Sequence, residues 1–206
     1  MDIKKITHLI VEKYTDILSN LDPESVSVYL FLKDEYEKGG INDNFVFKFV
    51  FRSFYRLDNA GLTDEFKKIF FNLLDYKQTD LKYILLRLYE IPTLKNKNTI
   101  QFSFATKLIH TVDNNAPIYD LNVGKIISKI VSGKNRDEKI QSCLEIYNSL
   151  KELYEKLLEN EDIKKVILNF RSKFNVDTER MTGPKILDFI FWSLGQIKTI
   201  KISKLK

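Results

Sequence analysis

Apolar positions along this chain recur mainly at helical spacing. Ile3, Ile6, Leu9, Ile10, Tyr14, Ile17 and Leu18 share one face of a helix over residues 3–21. Asp22-Pro23 opens a second helix that runs to about Lys38 and stops at Gly39-Gly40. In residues 42–61, Phe45, Phe47, Phe49 and Phe51 alternate as in a strand, but Lys48, Arg52 and Arg56 are four apart. That spacing makes one basic stripe on a helix, with Gly61 as its stop. The stripe reads either as a phosphate-contacting edge or as a solvated face, and the phenylalanines as core, because a base-stacking platform needs exposed rings. Thr63 and Thr79 start two further helices, the second ended by Pro92.

After a connection over residues 91–103, Phe104, Leu108, Ile109 and Val112 mark a helix that ends in the turn residues Asp113, Asn114 and Asn115. Pro117 forbids simple continuation. Val123, Ile126, Ile127 and Ile130 then mark another helix that begins just after Asp120. Ile140, Cys143, Leu144, Tyr147, Leu150, Tyr154 and Leu157 form the stripe of a long helix over residues 136–159, and Asp162 caps the next one. A final helix over residues 183–198 has Pro184 early and Gly195 at its end.

Composition sharpens this into an all-α fold class. The 206 residues are 44% hydrophobic, enough for a substantial core, and contain only seven glycines and four prolines. The single cysteine, Cys143, excludes an internal disulfide and any four-cysteine metal site, and His8 and His110 belong to no spaced ligand set, so no metal or other cofactor is expected. No apolar run reaches membrane length, so no membrane partner is expected and a cytoplasmic location is. Charge is uneven: residues 163–206 carry ten Lys or Arg against three acids, whereas residues 1–162 sit at −2. Lys198, Lys201, Lys204 and Lys206 close the chain, as a phosphate-tracking tail or a solvated terminus.

The stretch that carries candidate chemistry is FSFATKLIHTVDNNAPIYDLNVGKII, residues 102–127. Asp120 is placed to accept from the free N–H groups of a helix N-terminus, a setting expected to keep it ionised. His110, one turn past Lys107, is expected to pack or to bond locally. The run A-T-K-L-I-H followed by P-I-Y-D-L-N-V resembles the active-site segment of the helix-hairpin-helix DNA glycosylases. By that resemblance Asp120 matches the catalytic aspartate, and Lys107 lies near the position of the Schiff-base lysine of bifunctional members. The family's glycine-rich, phosphate-gripping hairpin corresponds to residues 91–103, which contain no glycine.

The resemblance implies one compact unit of two interleaved helical lobes, 43–134 and 1–42 with 135–206, around a cleft for an extruded nucleotide. It implies a monomeric enzyme on double-stranded DNA that excises a damaged or modified base. Because some relatives are associated with defence against phages carrying modified cytosines, a glucosylated cytosine is one such base. Lys95, Lys97, Asn98, Asn122 and Lys125 are the DNA-binding candidates, and Phe102, Tyr119 and Trp192 the base-pocket candidates. Lys107 has only apolar residues and His110 beside it in sequence, nothing that lowers its pKa by charge, so hydrolysis without a lysine adduct is expected. The alternative is a non-catalytic all-α nucleic-acid-binding or protein-interaction module in which Asp120 is only an N-cap.

Overall fold

The computed structural model describes residues 2–197, so the basic tail of Lys198, Lys201, Lys204 and Lys206 lies outside the described residues. Within them the chain is all-α: α1 (Ile3–Ser19), α2 (Pro23–Glu37), α3 (Phe45–Phe54), α4 (Asp64–Asp75), α5 (Leu81–Tyr89), α6 (Phe102–Val112), α7 (Leu121–Ile127), α8 (Arg136–Glu159), α9 (Glu161–Phe174) and α10 (Gly183–Gln196), with a 3₁₀ turn at Asp58–Ala60. One continuous apolar cluster runs from Ile6 to Leu194.

Side-chain caps explain most of the starts. Asp2, Asp22, Asn44, Thr63, Asp80, Asp120, Asn135, Asn160 and Thr182 each accept from a backbone N–H of the first turn. Two starts differ from the sequence reading: α5 is capped by Asp80 rather than Thr79, and α9 by Asn160 rather than Asp162.

The end of α3 differs more, and for a reason that matters at the site. Leu57 N–H donates to the Arg52 carbonyl at 2.9 Å and Arg56 N–H to the Ser53 carbonyl at 3.2 Å. Arg56 itself stands at φ 59°, and Leu57 is fully buried. This is a Schellman ending with arginine where glycine is usual, made affordable by the apolar anchor that follows. The basic stripe is therefore broken: Lys48 bonds the Asn42 carbonyl, Arg52 pairs with Asp58 at 3.1 Å, and Arg56 leaves the helix. The phenylalanines divide as well. Phe47 and Phe51 are core, whereas Phe45 and Phe49 stay exposed on the opposite face.

α4, α5 and α6 pack on one another, and α2 on α3. α1, α8 and α9 pack around α10, and α5 joins them through α8. α10 is the most enclosed helix, burying every residue from Lys185 to Phe191 together with Ser193 and Leu194. Its closest neighbour is α7, a short helix that ends at Ile127, so that Ile130 falls outside it and is exposed. Gly195 permits that approach: a Cβ there would lie 2.4 Å from Asn122 Cβ. Its place near the helix end is thus a packing requirement rather than a stop signal.

Gly195→Ala should push α7 away from α10. We expect a loss of about 1–3 kcal/mol, the usual range for overpacking, read as a lower urea midpoint with unchanged slope. A variant as stable as the parent would show that the α7–α10 contact is loose.

Candidate functional site

Two buried polar side chains of α6 fix the connection that leads to Asp120. Thr106 Oγ1 accepts from Tyr119 N–H at 3.0 Å, and its one proton is within reach of two carbonyls, Ser103 at 3.1 Å and Tyr119 at 3.2 Å. One turn on, His110 Nδ1 is 2.7 Å from the Ala116 carbonyl. A carbonyl only accepts, so Nδ1 carries the hydrogen, and Nε2 accepts from Tyr29 Oη at 3.4 Å. Because Thr106 precedes Lys107 and Tyr119 precedes Asp120, the same grip brings the lysine and the aspartate to one place.

That place is a cavity of about 580 Å³. Lys107 and Phe104 enter it from α6, Asp120 and Asn122 from the start of α7, Ser53 to Arg56 from the end of α3, and Lys185, Asp188, Phe189 and Trp192 from α10. Asp120 spends one oxygen on its own helix, accepting from Asn122 N–H at 2.8 Å and Val123 N–H at 2.9 Å. The other oxygen is left for the cavity. Burial nevertheless raises the Asp120 pKa above the ordinary carboxylate value, helped by nearby Asp188 and opposed by the two backbone bonds and by Lys107. The capped position alone implied a well-ionised acid; desolvation outweighs it.

Lys107 shows the complementary effect. Its ammonium lies 5.1 Å from the Phe104 ring centre, 5.5 Å from that of Tyr55 and 3.5 Å from the Tyr55 carbonyl. Burial lowers its pKa, with Lys185 and Arg56 adding to the fall and Asp120 and Asp188 resisting it. Its neighbours in space thus include the cations that its neighbours in sequence lacked.

Lys185 and Asp188 were not singled out from the sequence. They form an ion pair of 2.7 Å across the first two turns of α10, with Lys185 only 1% exposed and its ammonium 4.5 and 4.4 Å from the Tyr29 and Phe189 ring centres. A cation in the first turn of a helix opposes the dipole, and Asp188, three residues on, offsets it. Their i, i+3 spacing was visible, but nothing in the sequence marked that face of α10 as buried.

The other candidates are distributed unevenly. Trp192 and Asn122 line the cavity. Phe102 and Tyr119 do not: they stack on each other with ring centres 4.4 Å apart, in the core, and the Tyr119 hydroxyl donates to the Lys129 carbonyl at 3.0 Å. Lys125 is exposed on α7 and outside the cavity lining. Lys95, Lys97 and Asn98 are exposed on the 91–101 connection, where Thr93 N–H bonds the Lys97 carbonyl at 3.0 Å and Asn98 donates to the Tyr89 carbonyl at 2.7 Å. Asn96 takes the left-handed conformation at φ 54° there, the position for which glycine would be usual. Among the described residues no group of three or more metal-ligating side chains is present, and no helix is long and apolar enough to cross a membrane.

Compared with models of protein families, with curated proteins and with solved structures, the chain has no match in any of the three. What the cavity does rests on its own geometry.

The His110 clamp has a measurable signature. Burial, then the charge of Lys185, lower its pKa from 6.5 to about 3. The unfolded chain therefore takes up a proton near pH 6.5 that the folded chain refuses until about pH 3, so this residue makes stability fall as pH falls through that window. The contribution should reach about 3 kcal/mol by pH 4. Urea unfolding of the parent and of His110→Gln at pH 7 and pH 4 checks this: the variant should lose less stability on acidification than the parent, and equal losses would refute the clamp's neutrality.

Proposed function

We propose that the chain is a DNA N-glycosylase that cleaves the bond between an extruded damaged or modified base and its sugar. The observation that carries the reading is the convergence of Asp120, Lys107 and the Trp192 face on one cavity of about 580 Å³, within the size range of small-ligand sites. Extrusion is needed because the glycosidic bond and the base edges are shielded in a stacked duplex. The lobes proposed for this class, 43–134 and 1–42 with 135–206, both supply lining: Ser53 to Arg56, Lys107 and Asp120 from the first, and Ser25, Lys185 and Trp192 from the second.

As the glycosidic bond breaks, its electron pair leaves with the base and positive charge grows on the sugar. The free oxygen of Asp120 stabilises that charge and takes a proton from the attacking water, whose oxygen bonds to the sugar carbon. Arg56, at the cavity wall and without an ion pair among the described residues, is available to a flanking phosphate. A non-catalytic module would use Asp120 for its cap alone and leave the free oxygen idle.

One observation favours a second course. A lysine held by aromatic faces and pushed toward neutrality by burial, Lys185 and Arg56 is prepared to attack the sugar carbon itself. The amine would then bond to the sugar carbon as the base leaves with the electron pair of the glycosidic bond, and the ring C–O bond would open to an imine, the two amine protons passing through Asp120 and solvent to the base and the ring oxygen.

Asp120→Asn keeps a good N-cap, since asparagine caps as well as aspartate, but removes the charge. Its melting temperature should stay near that of the parent while excision falls by at least about a hundredfold, the scale of losing one preorganised electrostatic group. The rate of the parent should rise with pH through a limb above the ordinary carboxylate range, because the ionised form is the active one and its pKa is raised. The measurement is abasic-site formation on duplexes carrying oxidised, alkylated, mismatched or glucosylated-cytosine bases. Equal excision by both proteins, or none by either on every duplex, would return Asp120 to a purely capping role.

Borohydride added during turnover separates the two courses. Lys107→Ala should abolish a covalent protein–DNA adduct that the parent forms. If the parent forms none, water is the nucleophile and Lys107 serves to orient Asp120.

A further inference from the structure

The α10 wall of the cavity carries more charge than bond cleavage requires. A buried ammonium–carboxylate pair is a poor source of stability, because desolvating both groups offsets their attraction. Lys185 and Asp188 are nevertheless enclosed, at 1% and 9% exposure, and both border the cavity. Within the pair, Lys185 Nζ donates to Asp188 Oδ2 at 2.7 Å, while Oδ1 accepts no hydrogen bond among the described residues. Asp188 lines the cavity, so Oδ1 is the oxygen left for an occupant. Phe54, Phe104, Phe189 and Trp192 line the same cavity as apolar walls. The arrangement is a fixed acceptor in an aromatic-lined cavity, held in place by a cation that is itself locked between two rings.

We infer that Asp188, positioned by Lys185, reads the Watson–Crick edge of the extruded base and selects a guanine-type base. The inference rests on the reading of the cavity as a base pocket and adds its specificity. A carboxylate only accepts: Oδ1 has its lone pairs free, and Oδ2 keeps one beside Lys185. Guanine, whether intact, oxidised on its five-membered ring or alkylated there, presents two adjacent donors, N1–H and the 2-amino group. They meet the two oxygens side by side. Adenine and cytosine set an amino group beside a bare ring nitrogen, and thymine or uracil sets its one N–H between two carbonyls. Each of those edges turns a lone pair toward the carboxylate, and such mismatched polar contacts exclude a competitor more strongly than lost packing does. The same edge excludes cytosine, glucosylated or not.

Trp192 is the chain's only tryptophan and lines the cavity, so its fluorescence reports occupancy without any chemistry. Deoxyguanosine, deoxyinosine, deoxyadenosine and deoxycytidine monophosphates are titrated against the full chain. Deoxyinosine monophosphate keeps N1–H and lacks the 2-amino group, so it differs from the guanine nucleotide by one of the two proposed bonds. We expect the guanine nucleotide to bind about tenfold more tightly than the hypoxanthine one, with adenine and cytosine nucleotides weaker still. In Asp188→Asn the guanine-to-hypoxanthine preference should collapse toward one. Because that change strands the Lys185 ammonium, Lys185→Met/Asp188→Leu is titrated beside it, after circular dichroism has confirmed its fold, and should show the same collapse.

A hypoxanthine nucleotide bound as well as the guanine one, tighter binding of adenine or cytosine nucleotide, or no fluorescence response to any of the four would overturn the inference. Guanine selectivity that depends on Asp188, in a protein that excises no base from any duplex, would instead uphold the pocket and sink the glycosylase reading.

Discussion

The connection between α6 and α7 has to bury backbone polar groups without help from a helix, and the structure depends on how that is done. Ala116, Ile118 and Tyr119 are buried, so their N–H and carbonyl groups cannot be left to water. Thr106 and His110, four apart and on one face of α6, supply the missing partners at Tyr119 and Ala116. Each is an otherwise costly polar side chain in the interior, and each becomes favourable only because the other end of its bond would be orphaned without it. Their residue neighbours, Lys107 and Asp120, meet as a consequence. Thr182 extends the arrangement by donating to the Asn114 carbonyl at 2.6 Å while capping α10. The α6 clamp, the turn and the start of α10 are therefore one hydrogen-bonded unit.

α10 imposes the second constraint. A helix buried on nearly all sides can carry charge only where the charge is matched within reach. Lys185 and Asp188 meet that condition on consecutive turns of one face. The same helix needs a gap for α7, which Gly195 provides opposite Asn122. A larger residue there would displace the helix whose N-terminus holds Asp120, so cavity geometry and helix packing are coupled through a single missing methyl group.

Helix positions were legible because periodicity reports burial directly. Residues 136–159 form α8 as read from the pattern, and Asp120 caps α7. Endings were less legible in a chain with few glycines. Arg56, Lys77, Ser128 and Asn175 all take left-handed φ near 50–60° at helix ends, which buried residues or backbone bonds beyond them enforce and which no local sequence rule announces. Arg56 reaches the cavity through such an ending. Phe102 and Tyr119, base-pocket candidates from the sequence, stack on each other in the core instead. Lys185 and Asp188 were invisible for the opposite reason: a charged pair three apart is usually a solvated one, and only tertiary enclosure changes its meaning. Phe45 and Phe49 show the reverse case, apolar residues that the pattern assigned to the core and the fold leaves outside.

The two shifted groups in the cavity explain one another's chemistry. In water a carboxylate and an ammonium are separated by about 6.5 pKa units. Burial raises Asp120 and lowers Lys107, so it narrows that interval from both ends, while their mutual attraction widens it again. Desolvation leads in both cases. A neutral occupant that expels the remaining water strengthens the leading effect and brings proton exchange between the two groups within easier reach, whereas an anionic occupant would restore the lysine's charge. The cavity thus favours an uncharged occupant over an anionic one. The extruded base proposed above meets that condition, because its ring is neutral and its charge lies on the backbone.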